Sequence, residues 1–147
     1  MEWMLMPYRR YAEFSGRSRR KEYWMFTLFT VIVYALIAAF MFAGGLGTAL
    51  SGVDDPQFGV SFWIGAVLMM VFFLGTLVPG IAVIVRRLHD RDMSGWWYLG
   101  FIVLGMIPFV GWIASIAFLV ILCLPGTTGV NRFGDDPKNP AGYDVFG

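Results

Sequence analysis

The chain has 147 residues, 58% hydrophobic and 14% charged, with a net charge of +1. Soluble domains average roughly 45–50% apolar and 25% charged, so a soluble fold of this size lacks the polar surface to cover so much apolar area. The small net charge argues against a nucleic-acid binder, and the single cysteine, Cys123, excludes an internal disulfide and a cysteine-based metal centre.

Charge is confined to a few places. From Tyr23 to Val85 only Asp54 and Asp55 are charged, and from Met93 to Asn131 nothing is. All 11 Lys and Arg fall in three patches: Arg9 to Lys21, Arg86 to Arg91, and Arg132 with Lys138. An ionised side chain at mid-bilayer costs at least about 2.5–3.5 kcal/mol, so this pattern outlines membrane spans.

Residues 1–22 form a basic, aromatic arm fit to lie on a membrane, in which Pro7 limits any helix before it and Gly16 marks a break. Residues 24–43 give a first span, long enough to cross about 30 Å of hydrocarbon and longer than a signal-peptide core. It reads as an uncleaved signal anchor. Ala35, Ala39 and Ala43 share one of its faces, where a second helix could approach. A glycine-rich loop with Asp54 and Asp55 follows, then a second span over 62–85, with Trp63 at an interface, a kink at Pro79–Gly80 and a stop at Arg86 and Arg87. The stretch 96–124 is too long for one upright helix and is interrupted by Pro108 and Gly111; it fits either one kinked span or a hairpin. Cys123 within it reads as a small packing residue. Residues 125–147 are a polar, turn-rich tail.

The expected architecture is therefore all-α: a single polytopic membrane domain with two full spans and a third, proline-broken segment, three to four membrane helices in all. Counting basic residues in short loops places the N-terminus in the cytoplasm and Asp54/Asp55 outside. The count of two in the tail does not decide its side.

Three motifs hold most of the polar chemistry. Arg17, Arg20, Lys21, Glu22 and Trp24 form a basic flank with an aromatic belt. In the second, Arg86, Arg87, His89 and Asp90 precede Ser94, Gly95, Trp96 and Trp97. A proton-carrying His89 with a Ser94–His89–Asp90 triad needs three convergent side chains, and sequence neighbours on a helix diverge. A boundary role fits better: Asp90 or Asp92 pairs with an arginine or with His89, Ser94 caps a helix beginning at Gly95, and the tryptophans enter the interface. The third motif contains Asn131, Arg132, Phe133, Gly134, Asp136 and Pro137 in successive tight turns. Its aspartates are too few for a calcium site, and the lone histidine excludes a multi-histidine metal centre. No cofactor is implied. No ionisable residue falls mid-span, which disfavours a proton-coupled transporter.

On these motifs the chain resembles the domain of unknown function 805 (DUF 805) family of small bacterial inner-membrane proteins. The match lies in Gly16, Arg17, Arg20 to Trp24; in Arg86 to Asp90 with Ser94 to Trp97; and in Pro125, Gly126, Gly129, Asn131 to Gly134, Asp136 and Pro137. The resemblance implies a bacterial cytoplasmic membrane and brings no activity with it. The leading expectation is an interaction, scaffold or lipid-associated role at the cytoplasmic face, with anionic lipid headgroups, a homo-oligomer or a membrane protein as partner. A subunit of an oligomeric channel or transporter comes second, and a membrane enzyme using His89 and Asp90 third.

Overall fold

The computed structural model describes residues 2–43, 50 and 59–139. Asp54, Asp55 and Gly147 lie outside them. Among the described residues there are five α-helices: α1 (Glu2–Arg9), α2 (Arg20–Met41), α3 (Val60–His89), α4 (Trp96–Gly105) and α5 (Val110–Cys123). At 1.5 Å per residue, α2 is about 33 Å long and α3 about 45 Å, so each is long and apolar enough to cross a membrane.

Several boundaries differ from the sequence expectation. Pro7 lies inside α1 rather than ending it; its ring is fully buried, and that packing offsets the one backbone hydrogen bond it forfeits in a short helix. The second long helix runs unbroken through Pro79 and Gly80 and on past Arg86 and Arg87 to His89. The guanidinium groups of those arginines are buried and paired with Glu22 and Asp90 instead of reaching outward for headgroups. The first long helix begins at Arg20, four residues ahead of the expected span, with Glu22 in its first turn. There a carboxylate opposes the positive end of the helix dipole.

The segment 96–124 is a helical hairpin, which resolves the two alternatives left open by its length. The chain turns over Met106–Phe109, with Phe109 held at φ 63°. A side chain at Gly111 would place its Cβ 2.5 Å from the Gly105 carbonyl oxygen, so only glycine allows the two helices to meet so close to the turn. Further along, the Phe118 ring packs on Phe101 (centroids 4.8 Å apart) and Tyr98 (5.9 Å). With 10 and 14 residues, neither arm crosses a bilayer alone. Ser94 does not cap a helix starting at Gly95: Gly95 itself is the N-cap, α4 starts at Trp96, and Ser94 Oγ accepts only a long 3.4 Å bond from the Trp96 N–H. Cys123 is exposed and is not part of a packed core.

The chain divides into two compact units, residues 27–78 and residues 1–26 with 79–147. The first is largely apolar. Its inner contacts are Tyr34 and Phe29 against Phe72 (5.0 and 6.4 Å), with the Met41 side chain occupying the space over Gly65. The Tyr34 hydroxyl lies 3.2 Å from Thr76 Oγ1, which itself donates to the Phe72 carbonyl at 2.8 Å. Leu36, Val67, Met70 and Val71 point outward, as residues facing hydrocarbon do. Ala35, Ala39 and Ala43 are exposed as well. The second unit has a small apolar core of Phe26, Ala82, Val83, Leu88 and Leu122, with Tyr8 edge-on to Phe26 at 5.4 Å. Five charged residues, Arg17, Glu22, Arg86, Arg87 and Asp90, are buried beside it.

Candidate functional site: a buried arginine–carboxylate knot

The end of α3 is shaped to present its polar residues inward. Asp92, at φ 59°, closes the helix with a Schellman-type pair of bonds, Met93 N–H to Leu88 O (3.0 Å) and Asp92 N–H to His89 O (2.9 Å). Arg87 and Asp90 stand three residues apart on one helical face and form an ion pair. The loop before α2 meets them: Gly16, at φ 78°, turns the chain so that Ser18 N–H donates to the Arg86 carbonyl at 3.1 Å.

Asp90 is the centre of the site. Its Oδ1 accepts from Arg17 Nε at 3.0 Å and its Oδ2 from Arg87 Nη1. Its backbone carbonyl accepts the Thr127 N–H at 2.8 Å, which ties the chain after the hairpin back to α3. Arg17 extends to the Gly129 carbonyl at 2.6 Å and to the Thr127 carbonyl. Arg87 donates to the carbonyls of Leu122 (3.1 Å) and Leu124. Beside this group Arg86 Nη2 pairs with Glu22 at 3.0 Å. Arg86 and Arg87 are both 0% exposed, and Asp90 5%.

Three buried arginines thus face two buried carboxylates, and backbone carbonyl dipoles offset the surplus positive charge. Removing one partner from such an arrangement leaves a buried charge uncompensated. Arg86 Nε and Nη1 are themselves buried without a hydrogen-bond partner among the described residues. Each such N–H costs about 1–3 kcal/mol.

The tail motif closes over the knot. Asn131 Nδ2 donates to the His89 carbonyl at 3.0 Å and to Thr127 Oγ1 at 2.9 Å, while its Oδ1 accepts the Phe133 N–H at 2.9 Å. This tight turn lays the Phe133 ring flat on His89, with centroids 3.9 Å apart and planes 5° from parallel. His89 Nδ1 lies 3.1 Å from the Gly16 carbonyl; a carbonyl only accepts, so Nδ1 carries the proton. Asp136 accepts from the N–H groups of Lys138 (2.9 Å) and Gly129 (3.2 Å), and these bonds hold its carboxyl below the ordinary aspartate pKa.

The three sequence motifs therefore converge, but with different roles for their members. Arg17, Glu22, Arg86, Arg87, His89, Asp90, Asn131 and Phe133 meet directly. Asp90 pairs with arginines and not with His89, and Ser94 touches neither, so the triad geometry does not form. Asp92 pairs with Arg132 on the surface at 3.2 Å. Pro137 contributes its carbonyl to Arg19. Trp96 and Trp97 stay outside the knot, 77% and 54% exposed. Gly95 makes room for Val85, whose side chain a Cβ there would strike. Gly134 completes the turn through paired backbone bonds with Asn131. Arg20, Lys21 and Trp24 line a separate groove with Met25 and Cys123.

Thr127 was missed at the sequence level, and Gly126 was noted there only as part of the family pattern, without its contact to Asp90. A Cβ on Gly126 would overlap the Asp90 carboxylate, and Thr127 bonds Asp90 twice through its backbone carbonyl. The Pro125-Gly126 pair was the available signal, and it reads as a turn, not as a close approach.

Helices of this length around a fixed polar end define an all-α membrane protein with two spanning helices and a hairpin. The chain belongs to the family described as "Protein of unknown function (DUF805)", which it matches over residues 11–135. It is 42% identical to Inner membrane protein YhaI of Escherichia coli K12 over 138 residues, covering 94% of this chain and 97% of that protein. It is 40% identical to Inner membrane protein YhaH of the same strain over 142 residues, covering 94% and 98%. No solved structure matches the chain.

Proposed function

We propose that the chain is a multi-pass inner-membrane protein whose N-terminal arm, α3 end and tail form one cytoplasmic scaffold for a partner. The inner-membrane location is supported by the names of its relatives. The orientation follows from the basic residues of the arm, six of the 11 in the chain. The observation that carries the scaffold reading is Asp90, held by Arg17 from the arm and Arg87 from α3 while its carbonyl holds Thr127 of the tail. A platform so cross-braced exposes fixed groups, among them Val130 (73% exposed) and the Arg132–Asp92 pair.

Purification in native lipid, followed by identification of co-purifying proteins, tests this. Val130→Asp with Arg132→Glu leaves every buried pair in place. It should therefore lose the partner at unchanged abundance. Retention of the same partners by that variant, or purification of the chain alone, would count against the scaffold. For orientation, Ser15→Cys and Asp135→Cys in a Cys123→Ser background should react with an impermeant thiol reagent only after the inner face is opened. Labelling of either from outside reverses the assignment.

A further inference from the structure

The N-terminal cations divide into two groups. Arg17 is buried and spent on Asp90 and the tail carbonyls, so it is not available to lipid headgroups as its place in the basic run suggests. Arg20 and Lys21 are exposed instead. They line a shallow groove of about 390 Å³ together with Trp24, Met25 and Cys123. Arg20 Nη1 donates to the Cys123 carbonyl at 3.3 Å, a bond on the exposed surface that ties the guanidinium to the Cys123 side of the lining. Lys21 Nζ rests 5.5 Å from the Trp3 ring centroid.

We infer that this groove binds a single anionic phospholipid, with its phosphate on Arg20 and Lys21 and an acyl chain along Trp24, Met25 and Cys123. Charge complementarity argues for that occupant. Glu22, the acidic residue of the same helical turn, has its carboxylate turned inward onto Arg86 and does not offset the two cations. A fixed guanidinium suits a phosphodiester, and the rest of the lining suits a hydrocarbon chain. This site rests on the membrane reading above but not on the existence of a protein partner.

Cys123 is the only cysteine in the chain and lines the groove, so the native thiol reports occupancy. The purified full chain in detergent is titrated with phosphatidylglycerol, phosphatidylcholine or soluble glycerol phosphate while the rate of maleimide reaction at Cys123 is followed. Phosphatidylglycerol should slow the reaction, and the other two should not. Arg20→Gln with Lys21→Gln should weaken the preference for the anionic lipid about 30-fold, at roughly one charge–headgroup contact per residue. Lys21→Gln alone should weaken it about fivefold and guards against misfolding of the double variant. Neutralising Arg9 and Lys138 makes the same change in net charge away from the groove and should leave the response intact. Equal slowing by phosphatidylcholine, full slowing by glycerol phosphate, or an unchanged response in the Arg20/Lys21 variants would overturn the site. Because only the chain and lipid are present, failure here leaves the scaffold reading standing, and failure to find a protein partner leaves the lipid site standing.

Discussion

The two compact units are held by different kinds of force. In residues 27–78 the described contacts are apolar, apart from hydrogen bonds such as that between Tyr34 and Thr76, and much of the side-chain surface points outward. In the other unit, Arg17, Glu22, Arg86, Arg87 and Asp90 are buried together, and Arg17 and Arg87 donate to backbone carbonyls, the furthest 117 residues away in sequence. Apolar faces accept many neighbours, because lipid tails are as apolar as leucine and packing alone distinguishes them. A buried guanidinium accepts few arrangements, because each unpaired N–H is costly. The first unit should therefore tolerate change, and the second should not.

The sharpest way to break that contrast is Asp90→Ala. It strands Arg17 and Arg87 as buried unpaired charges and should cost about 3–5 kcal/mol or more. Membrane abundance and thermal unfolding in detergent would both fall steeply; wild-type values for either would show that the knot is not structural. A matched pair of glycine substitutions comes next. Gly126→Ala drives a methyl into the Asp90 carboxylate and should destabilise by about 1–3 kcal/mol. Gly75→Ala, with open space around its Cβ position inside α3, should stabilise by about 0.5–1 kcal/mol. If both substitutions shift the unfolding temperature the same way, the difference between the units fails.

Tyr34→Phe removes the hydroxyl that reaches Thr76 while Thr76 keeps its bond to the Phe72 carbonyl. Hydrogen bonds at this depth average about 0.6 kcal/mol, so detergent unfolding should move by only that much. The smallest effect concerns pH. Asp136 has a lowered pKa in the fold, so its contribution is present above the unfolded aspartate pKa and disappears as pH falls through the folded value. Protection of the Gly129 and Lys138 amides, measured as exchange relative to the intrinsic rate at each pH, should fall as the medium is acidified below about pH 4, and Asp136→Asn should remove that loss.

The membrane-spanning character of the chain was legible in its sequence because lipid imposes one rule on every residue it touches. The absence of charge marked both long helices, and Pro108 marked the break between α4 and α5. The return of the hairpin was not legible, since it depends on how closely Gly111 approaches Gly105 and on the left-handed backbone of Phe109. The three motifs were visible as polar islands, and their convergence was not. Arg17 looked like any other cation of a basic flank; what sets it apart is a carboxylate 73 residues away. Short-range patterns such as Arg87–Asp90 or Asn131–Phe133 can be read from spacing, whereas partners brought together by the hairpin cannot.

The arm and the tail also impose an order in time. The Thr127 carbonyl that Arg17 binds is 110 residues further along the chain. At about 5–20 residues per second, synthesis delivers it on the order of ten seconds after Arg17. During that interval Arg17 has to remain hydrated, and α2 and α3 can enter the membrane before the knot exists. A segment made later is therefore the one that locks Arg17 in place, and a chain stopped short of Thr127 leaves Arg17 without its carbonyl partners there.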